Sequence, residues 1–275
     1  MNSNKLTIVI VTYKSEEKIF KCLKSISSEI PVIVVENSDD RKFKNKIEKN
    51  NVKCILTGEN KGYATANNIG LKLVKTKYAL VLNPDTVLDK EAVKNFLISA
   101  SHNDNFWLMG PANDQMINLE FKNKNLKEVN NIKGFAIFFN ISKFKDIFFD
   151  ENFFLFFEEI DLCRRVKKNN GKIYLNKDIY IKHEGASSVN TNYKSELEKN
   201  RNWHWMWSTF YFQKKYKGFF LALVIISPKF LSALFKICLF FLVFDKENRN
   251  IYQSRLSGIY NSLVGKKSWY RPSLD

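Results

Sequence analysis

Apolar and polar positions change rhythm twice along the 275-residue chain. At first, short apolar runs alternate with stretches whose apolar residues recur every three or four positions. Leu6–Tyr13 is a continuous run rich in β-branched residues, the signature of a strand covered on both faces. Ser15-Glu16-Glu17 opens a helix whose stripe is Ile19, Leu23 and Ile26. The same reading predicts strands at 31–36, 52–56 and 78–82, and helices at 41–50, 63–75 and 90–101. After Trp107, short apolar runs (135–139, 173–175, 179–181) alternate with polar stretches. One helix, 158 to about 169, interrupts them and ends before Gly171. From about Ser195 the pattern is helical throughout.

Alternating strands and helices predict an α/β fold with a mostly parallel central sheet and helices on both faces. Ligands of such sheets bind beyond the carboxyl ends of the strands. The polar residues there are the functional candidates: Thr12 and Tyr13, Glu36 and Asn37, the loop Gly58–Gly62, and Asn83-Pro84-Asp85. Pro84 cannot continue a ladder and forces a turn. Asp85 then offers a hard oxygen ligand of the kind that Mg2+ or Mn2+ shares with phosphate oxygens. The tripeptide alone fits a plain turn equally well.

Helical spacing sorts the acids of Glu158-Glu159-Ile160-Asp161. Glu159 shares a face with Leu162, Cys163 and Val166, so it tops the packed stripe at the helix start. Asp161 falls about 200° away at 100° per residue, where it can pair with Arg164 and Arg165. Glu159 is thus the better base and Asp161 the structural acid. First-turn acids that merely stabilise the helix are the plainer reading of this segment by itself. His183 follows the run 179–181 and opens His183-Glu184-Gly185, where a neutral imidazole could reach a metal. The loop Gly58–Gly62, with Asn60, leads into a helix carrying Asn67. Its spacing matches neither common phosphate-loop pattern.

In order, Thr7–Tyr13, Val34–Ser38, Asn60–Ala64 with Asn67–Gly70, Leu82–Asp85, Gly134, Phe157–Arg164 and His183–Gly185 resemble the family-2 glycosyltransferases. The resemblance is to their GT-A, Rossmann-like fold and especially to the rhamnosyltransferase-like branch. It covers about residues 5–190 and is specific only as a set. It implies an inverting enzyme that transfers sugar from a nucleotide diphosphate-sugar to a lipid-linked or envelope saccharide. Thr12, Tyr13, Glu36, Asn37, Asn60, Gly62, Asn67, Asn83 and Asp85 would bind the donor. Asp85, with His183, would hold a divalent metal, Mg2+ or Mn2+. Glu159 would deprotonate the acceptor, with Glu158 as the rival base. The family usually has Asp at the positions of Glu36 and Glu159, and a small or polar pair in place of Ile132-Lys133.

Charge and composition add a second region. The net charge is +16, of which +9 lies from Thr191 onward. There Trp203, Trp205, Trp207 and the basic Lys214, Lys215 and Lys217 precede a very apolar run, 219–244. Pro228, Lys229 and Lys236 interrupt it. The two lysines, seven apart, share a helix face. This favours an interfacial or re-entrant helix with lysines reaching for headgroups, and the preceding tryptophans and lysines as its anchor, over a spanning helix or a packed core or oligomer helix. The expected organisation is a glycosyltransferase domain, 1–190, and a helical, membrane-associating extension, 191–275. Basic bias alongside apolar sequence favours a membrane surface over nucleic acid. The four cysteines form no C-x-x-C pair, so buried thiols in a reducing compartment are expected. Residues 1–4 lead straight into a strand without a secretory segment, so the domain is expected in the cytoplasm, against the inner membrane face. The rival reading is a catalytically silent nucleotide-sugar-binding membrane scaffold.

Overall fold

A computed structural model describes residues 5–112, 125–145, 148–183 and 194–272. The chain packs as two compact units, Met1–Asp150 with Glu159–Ser188, and Glu151–Glu158 with Val189–Asp275. The sequence places its one cut at 190; the packing adds the short segment Glu151–Glu158 to the C-terminal helices.

Among the described residues the first unit carries ten strands: β1 Leu6–Thr12, β2 Val32–Glu36, β3 Val52–Leu56, β4 Tyr78–Leu82, β5 Thr86–Leu88, β6 Phe106–Pro111, β7 Leu126–Glu128, β8 Ala136–Asn140, β9 Lys172–Asn176 and β10 Ile181–His183. Between them run α1 Glu16–Lys24, α2 Arg41–Ile47, α3 Tyr63–Lys72, α4 Ala92–His102 and α5 Glu158–Lys168. The large sheet has the order β3-β2-β1-β4-β8-β6-β9-β7, and β10 pairs with β5 separately. Strands β3, β2, β1 and β4 are parallel neighbours, as the alternation predicts. Antiparallel β8 then enters beside β4, with Leu82 opposite Ala136.

All seven residues of β1 are buried. Alternation sends their side chains to the two faces of the sheet. Leu6, Ile8 and Ile10 face the core shared with Ile19, Cys22, Phe43, Ile47 and Phe96 of α1, α2 and α4. Val9 faces the one shared with Ala64 and Leu71 of α3 and with Leu162, Cys163 and Val166 of α5. Each fully buried aliphatic side chain contributes about 1.5–3 kcal/mol. Gly70 lets α3 lie close on the sheet, since a Cβ there would sit 2.4 Å from Val9 Cγ1.

Two expectations change here. Residues 86–88 form a strand that the reading passed over, and its pairing partner is 181–183 rather than 179–181. Asp161 is fully buried rather than outward-facing. Arg165 holds it at 2.8 Å, and the same guanidinium donates to Phe148 O at 2.5 Å, which makes a second packed face on α5. The expected pairing with Arg165 is present.

The second unit contains α6 Lys194–Lys217, α7 Phe219–Leu242 and α8 Lys246–Leu263. Met206, Phe210, Ala222, Ile226 and Ile259 form its core. Gly258 brings α8 against α6, where a Cβ would meet Trp203 O at 2.3 Å. Trp203 and Trp207 are buried in this bundle, so they are core residues rather than a membrane anchor. The lysine face also divides. Lys229 is exposed, whereas Lys236 donates to Tyr252 Oη at 2.8 Å on α8. Cys22, Cys54 and Cys163 are buried as expected, but Cys238 is exposed on α7.

Candidate functional site

The turn after β4 is built by its own backbone. Asn83 N donates to Phe135 O at 2.9 Å, and Thr86 closes onto Asn83 O through both N and Oγ1, at 3.3 and 2.7 Å. Asp85 is thereby held with 9% of its side chain exposed, 3.3 Å from His183 Nε2. Strand pairing sets His183 opposite Thr86, and its ring stacks on Phe135 at 4.8 Å. Among the described residues Asp85 Oδ1 accepts no hydrogen bond. A buried polar atom left so costs about 1–3 kcal/mol. A hard cation would satisfy it, with imidazole as a second donor and phosphate oxygens or water as the rest. Among the described residues no group of three or more His, Cys, Asp or Glu side chains is placed to hold a metal ion, and Asp85 with His183 is the pair that this edge brings together.

Glu159 lies in the first turn of α5. Its side chain runs along Gly134, where an added Cβ would stand 3.5 Å from Glu159 Cγ. Burial raises its pKa above the usual carboxylate range, while the N–H groups of Glu159 and Ile160 at the helix start oppose the shift. A base needs that tension between desolvation and stabilisation. Glu159 Oε2 has no hydrogen-bond partner among the described residues. Glu158 is buried as well.

The ends of β1 and β2 form the remaining edge. Thr12 stands opposite Glu36 and is buried, and Tyr13 follows half-buried. Ser38 Oγ donates to Glu36 Oε1 at 2.5 Å. Burial nevertheless raises the Glu36 pKa to about 7. Asn37 fastens the loop: its Nδ2 donates to Asn60 Oδ1 at 3.0 Å and Gly62 O at 3.3 Å, and its Oδ1 accepts from Lys61 N at 2.9 Å. Gly62, at φ 83°, turns the chain into α3. Asn37, Asn60 and Gly62 thus hold one another. Asn67 is buried and bonds its own helix at Tyr63 O, 2.9 Å away. Its neighbour Asn68 clasps the Phe149 backbone through both N–H and C=O, at 2.9 Å each.

Tyr63 is the link that the sequence reading missed. Its hydroxyl lies 3.1 Å from Asn83 Oδ1 and 2.9 Å from Gly134 O. One phenol thus joins the start of α3, the Asp85 turn and the residue against Glu159. An aromatic hydroxyl directly after the loop glycine was the available signal.

The geometry can be set beside known proteins. The profile named Glycosyl transferase family 2 matches residues 7–163. The low-salt glycan biosynthesis hexosyltransferase Agl10 of Haloferax volcanii is 29% identical over 195 residues, 60% of this chain and 62% of that protein. The teichoic acid poly(glycerol phosphate) polymerase of Staphylococcus epidermidis is 34% identical over 111 residues, 37% of this chain and 15% of that one. In both cases the match spans less than two thirds of the relative. Among solved structures, the mannosyltransferase PcManGT from Pyrobaculum calidifontis, in complex with GDP-Man and Mn2+, superposes with a TM-score of 0.57 at 12% identity. That match covers 96% of this chain and 88% of that one, and at this identity it concerns the fold. The fold is the GT-A type that the sequence led us to expect. With the family profile spanning more than half its length, the chain belongs to glycosyl transferase family 2.

Proposed function

We propose that the chain is an inverting glycosyltransferase that takes a nucleotide diphosphate-sugar and extends a cell-envelope glycan. The observation that carries this reading is the Asp85–His183 pair at the sheet edge, joined through Asn83, Tyr63 and Gly134 to Glu159. Thr12, Tyr13, Glu36, Asn37, Asn60, Gly62 and Asn67 belong to the donor side in this proposal. Asp85 and His183 would hold Mg2+ or Mn2+, consistent with the Mn2+ and GDP-Man in the Pyrobaculum neighbour. Such a cation, when bound, offsets charge on a departing diphosphate.

The chain's own residues do the rest. Glu159, its carboxylate destabilised by burial, takes the acceptor hydroxyl proton, and Glu158 is the alternative base. The hydroxyl oxygen attacks the anomeric carbon from the face opposite the nucleoside diphosphate. One displacement forms the new C–O bond and breaks the old one, and it inverts the configuration. Positioning both reactants supplies much of the acceleration. Rhamnose heads the donor sugars to test.

A membrane location belongs to the same proposal. Helix α7 is long and apolar enough to cross a bilayer, yet Pro228, Lys229 and its packing on α6 and α8 suit one lying at the surface. Lys214, Lys215 and Lys217 precede it and are suited to anionic headgroups. The acceptor is then a lipid-linked saccharide at the inner face of the membrane.

The test is nucleoside diphosphate release from a panel of nucleotide sugars, with Mn2+ and membrane extract. Asp85→Ala and Glu159→Ala should each abolish release while circular dichroism stays native. Full activity in both variants would reject the assignment.

A further inference from the structure

Strand β5 carries Thr86 opposite His183, and Thr86 directly follows Asp85. The place of β5 therefore sets how Asp85 and the imidazole meet, 3.3 Å apart. Both β5 and its partner β10 have only three residues. A pair of strands that short is marginally stable by itself. Further support comes from α1, a helix that the proposed chemistry does not use.

Cys22 on α1 and Ser25 at its C-cap are three positions apart, so their side chains are neighbours. Ser25 Oγ donates its proton to Cys22 O at 2.6 Å and accepts from Leu88 N at 3.0 Å. That hydroxyl ties the far end of β5 to the helix. Capping alone does not call for it, since Ser25 N already reaches Cys22 O at 3.0 Å. Cys22 is fully buried beneath the near end of β5. Its Sγ lies 3.7 Å from Thr86 Oγ1 and 3.9 Å from Asn83 O. Thr86 has one hydroxyl proton, which goes to Asn83 O at 2.7 Å. In the sulfur contact the thiol is therefore the donor and Thr86 Oγ1 the acceptor. Leu88 adds packing, because it shares one core with Cys22, Ile26, Ile179 and Ile181. Asn83 and Thr86 give the turn its shape, and α1 fixes where that turn stands.

We propose that Cys22 and Ser25 are positioning residues for the metal pair: from α1 they fix β5, and β5 fixes the separation of Asp85 and His183. The proposal rests on that pair holding a divalent cation. Ser25 carries the larger share, since its hydroxyl makes two short hydrogen bonds and a thiol is a weak donor.

The chain has three histidines, His102, His183 and His204. Labelled with 13C at histidine Cε1, the full chain should give one resonance for each, and His183→Gln identifies the one in question. Mn2+ alone is the probe, added without a donor sugar. Bound beside His183, it broadens that resonance through its unpaired electrons before it reaches exposed His102. Half-broadening should need about two- to tenfold more Mn2+ in Ser25→Ala, the range that one net hydrogen bond spans. Cys22→Ala should move it less. Ser25→Thr keeps the hydroxyl and should restore the wild-type value. A lower melting temperature in Ser25→Ala with half-broadening unmoved overturns the proposal and keeps the metal pair. A wild-type His183 resonance that Mn2+ broadens no more than that of His102 removes the metal pair, and the positioning role falls with it.

Discussion

The sheet edge at Asp85 and the outer face of α7 each leave something uncovered, and of opposite kinds. At the edge, buried oxygens of Thr12, Asp85 and Glu159 have no hydrogen-bond partner among the described residues. On α7, Phe220 and Phe235 are 82% and 69% exposed. Water would satisfy an exposed polar atom, so one that is buried without a partner points to a ligand that replaces water. Water does the reverse for an exposed phenylalanine, so a row of them points to an apolar phase. The core around His204 is the internal control. There both ring nitrogens are engaged, by Tyr270 O at 2.9 Å and Ser268 Oγ at 2.8 Å, and Phe154 stacks at 4.3 Å. A fully satisfied histidine is structure, and His183 beside Asp85 is the contrasting case.

The strongest break of this comparison comes from the edge. Asp85→Ala and Glu159→Gln should each cut turnover about a thousandfold, roughly 4 kcal/mol in barrier. The melting temperature should hold or rise, because Ala removes a buried Asp85 acceptor that lacks a donor and Gln removes the buried charge of Glu159. A large fall in melting temperature with turnover retained would make these carboxylates structural.

A smaller effect is expected on α7. Phe220→Glu with Phe235→Glu should weaken binding to anionic vesicles at least a hundredfold, since each buried phenylalanine contributes about 1.5–3 kcal/mol. Cosedimentation measures it. Turnover on a soluble acceptor should be unchanged, which separates the two uncovered regions. Unaltered cosedimentation would leave the apolar face for a protein partner.

Most of the fold was legible because its strands are buried on both faces and read as unbroken apolar runs. Residues 52–56 and 78–82 match β3 and β4 to the residue. Three-residue β5 was not legible: Thr86–Leu88 is too short to show a period and owes its existence to pairing with β10. The candidate residues were found by position after strands, and that rule brought Thr12, Glu36, Asn83, Asp85 and His183 to strand ends. It could not reveal Tyr63, whose role depends on a hydroxyl reaching Gly134, 71 residues away. Asp161 was misplaced because helical spacing identifies one packed face, and Arg165 creates another. Glu184 and Gly185, quoted with His183, lie outside the described residues, as does the expected boundary at 190.

Acid and base pull the two units in opposite directions. Burial raises Glu36 from 4.5 to about 7, so its contribution to stability is complete below pH 4.5 and is lost as pH rises through about 7. Burial lowers His204 from 6.5 to about 3, so its contribution is complete above pH 6.5 and is lost as pH falls toward 3. Glu36→Gln should therefore raise stability at pH 8, by about 1–3 kcal/mol, and change little at pH 4.5. His204→Gln should flatten the acid limb. Melting temperatures from pH 4 to 8 check both. An unchanged alkaline limb in Glu36→Gln would mean that Glu36 is solvated in the free protein.

The smallest effect tests the phenol that joins the edge together. Tyr63→Phe keeps the ring against Phe149 at 6.2 Å and removes only the hydroxyl. A phenol has one proton, so it can serve Gly134 O or Asn83 Oδ1 as donor, not both at once. If the Asn83 amide is turned, its Nδ2 donates to the phenol, and the phenol proton goes to Gly134 O. Both contacts are then satisfied. Losing a net hydrogen bond costs about 0.5–1.5 kcal/mol. The variant should lose about that much stability and about three- to tenfold in kcat/KM, with the Mn2+ concentration for half-maximal activity rising alongside. A loss of stability with the Mn2+ dependence unmoved would reduce Tyr63 to a packing residue. It would also show that the turn at Asp85 keeps its shape from Asn83 and Thr86 alone.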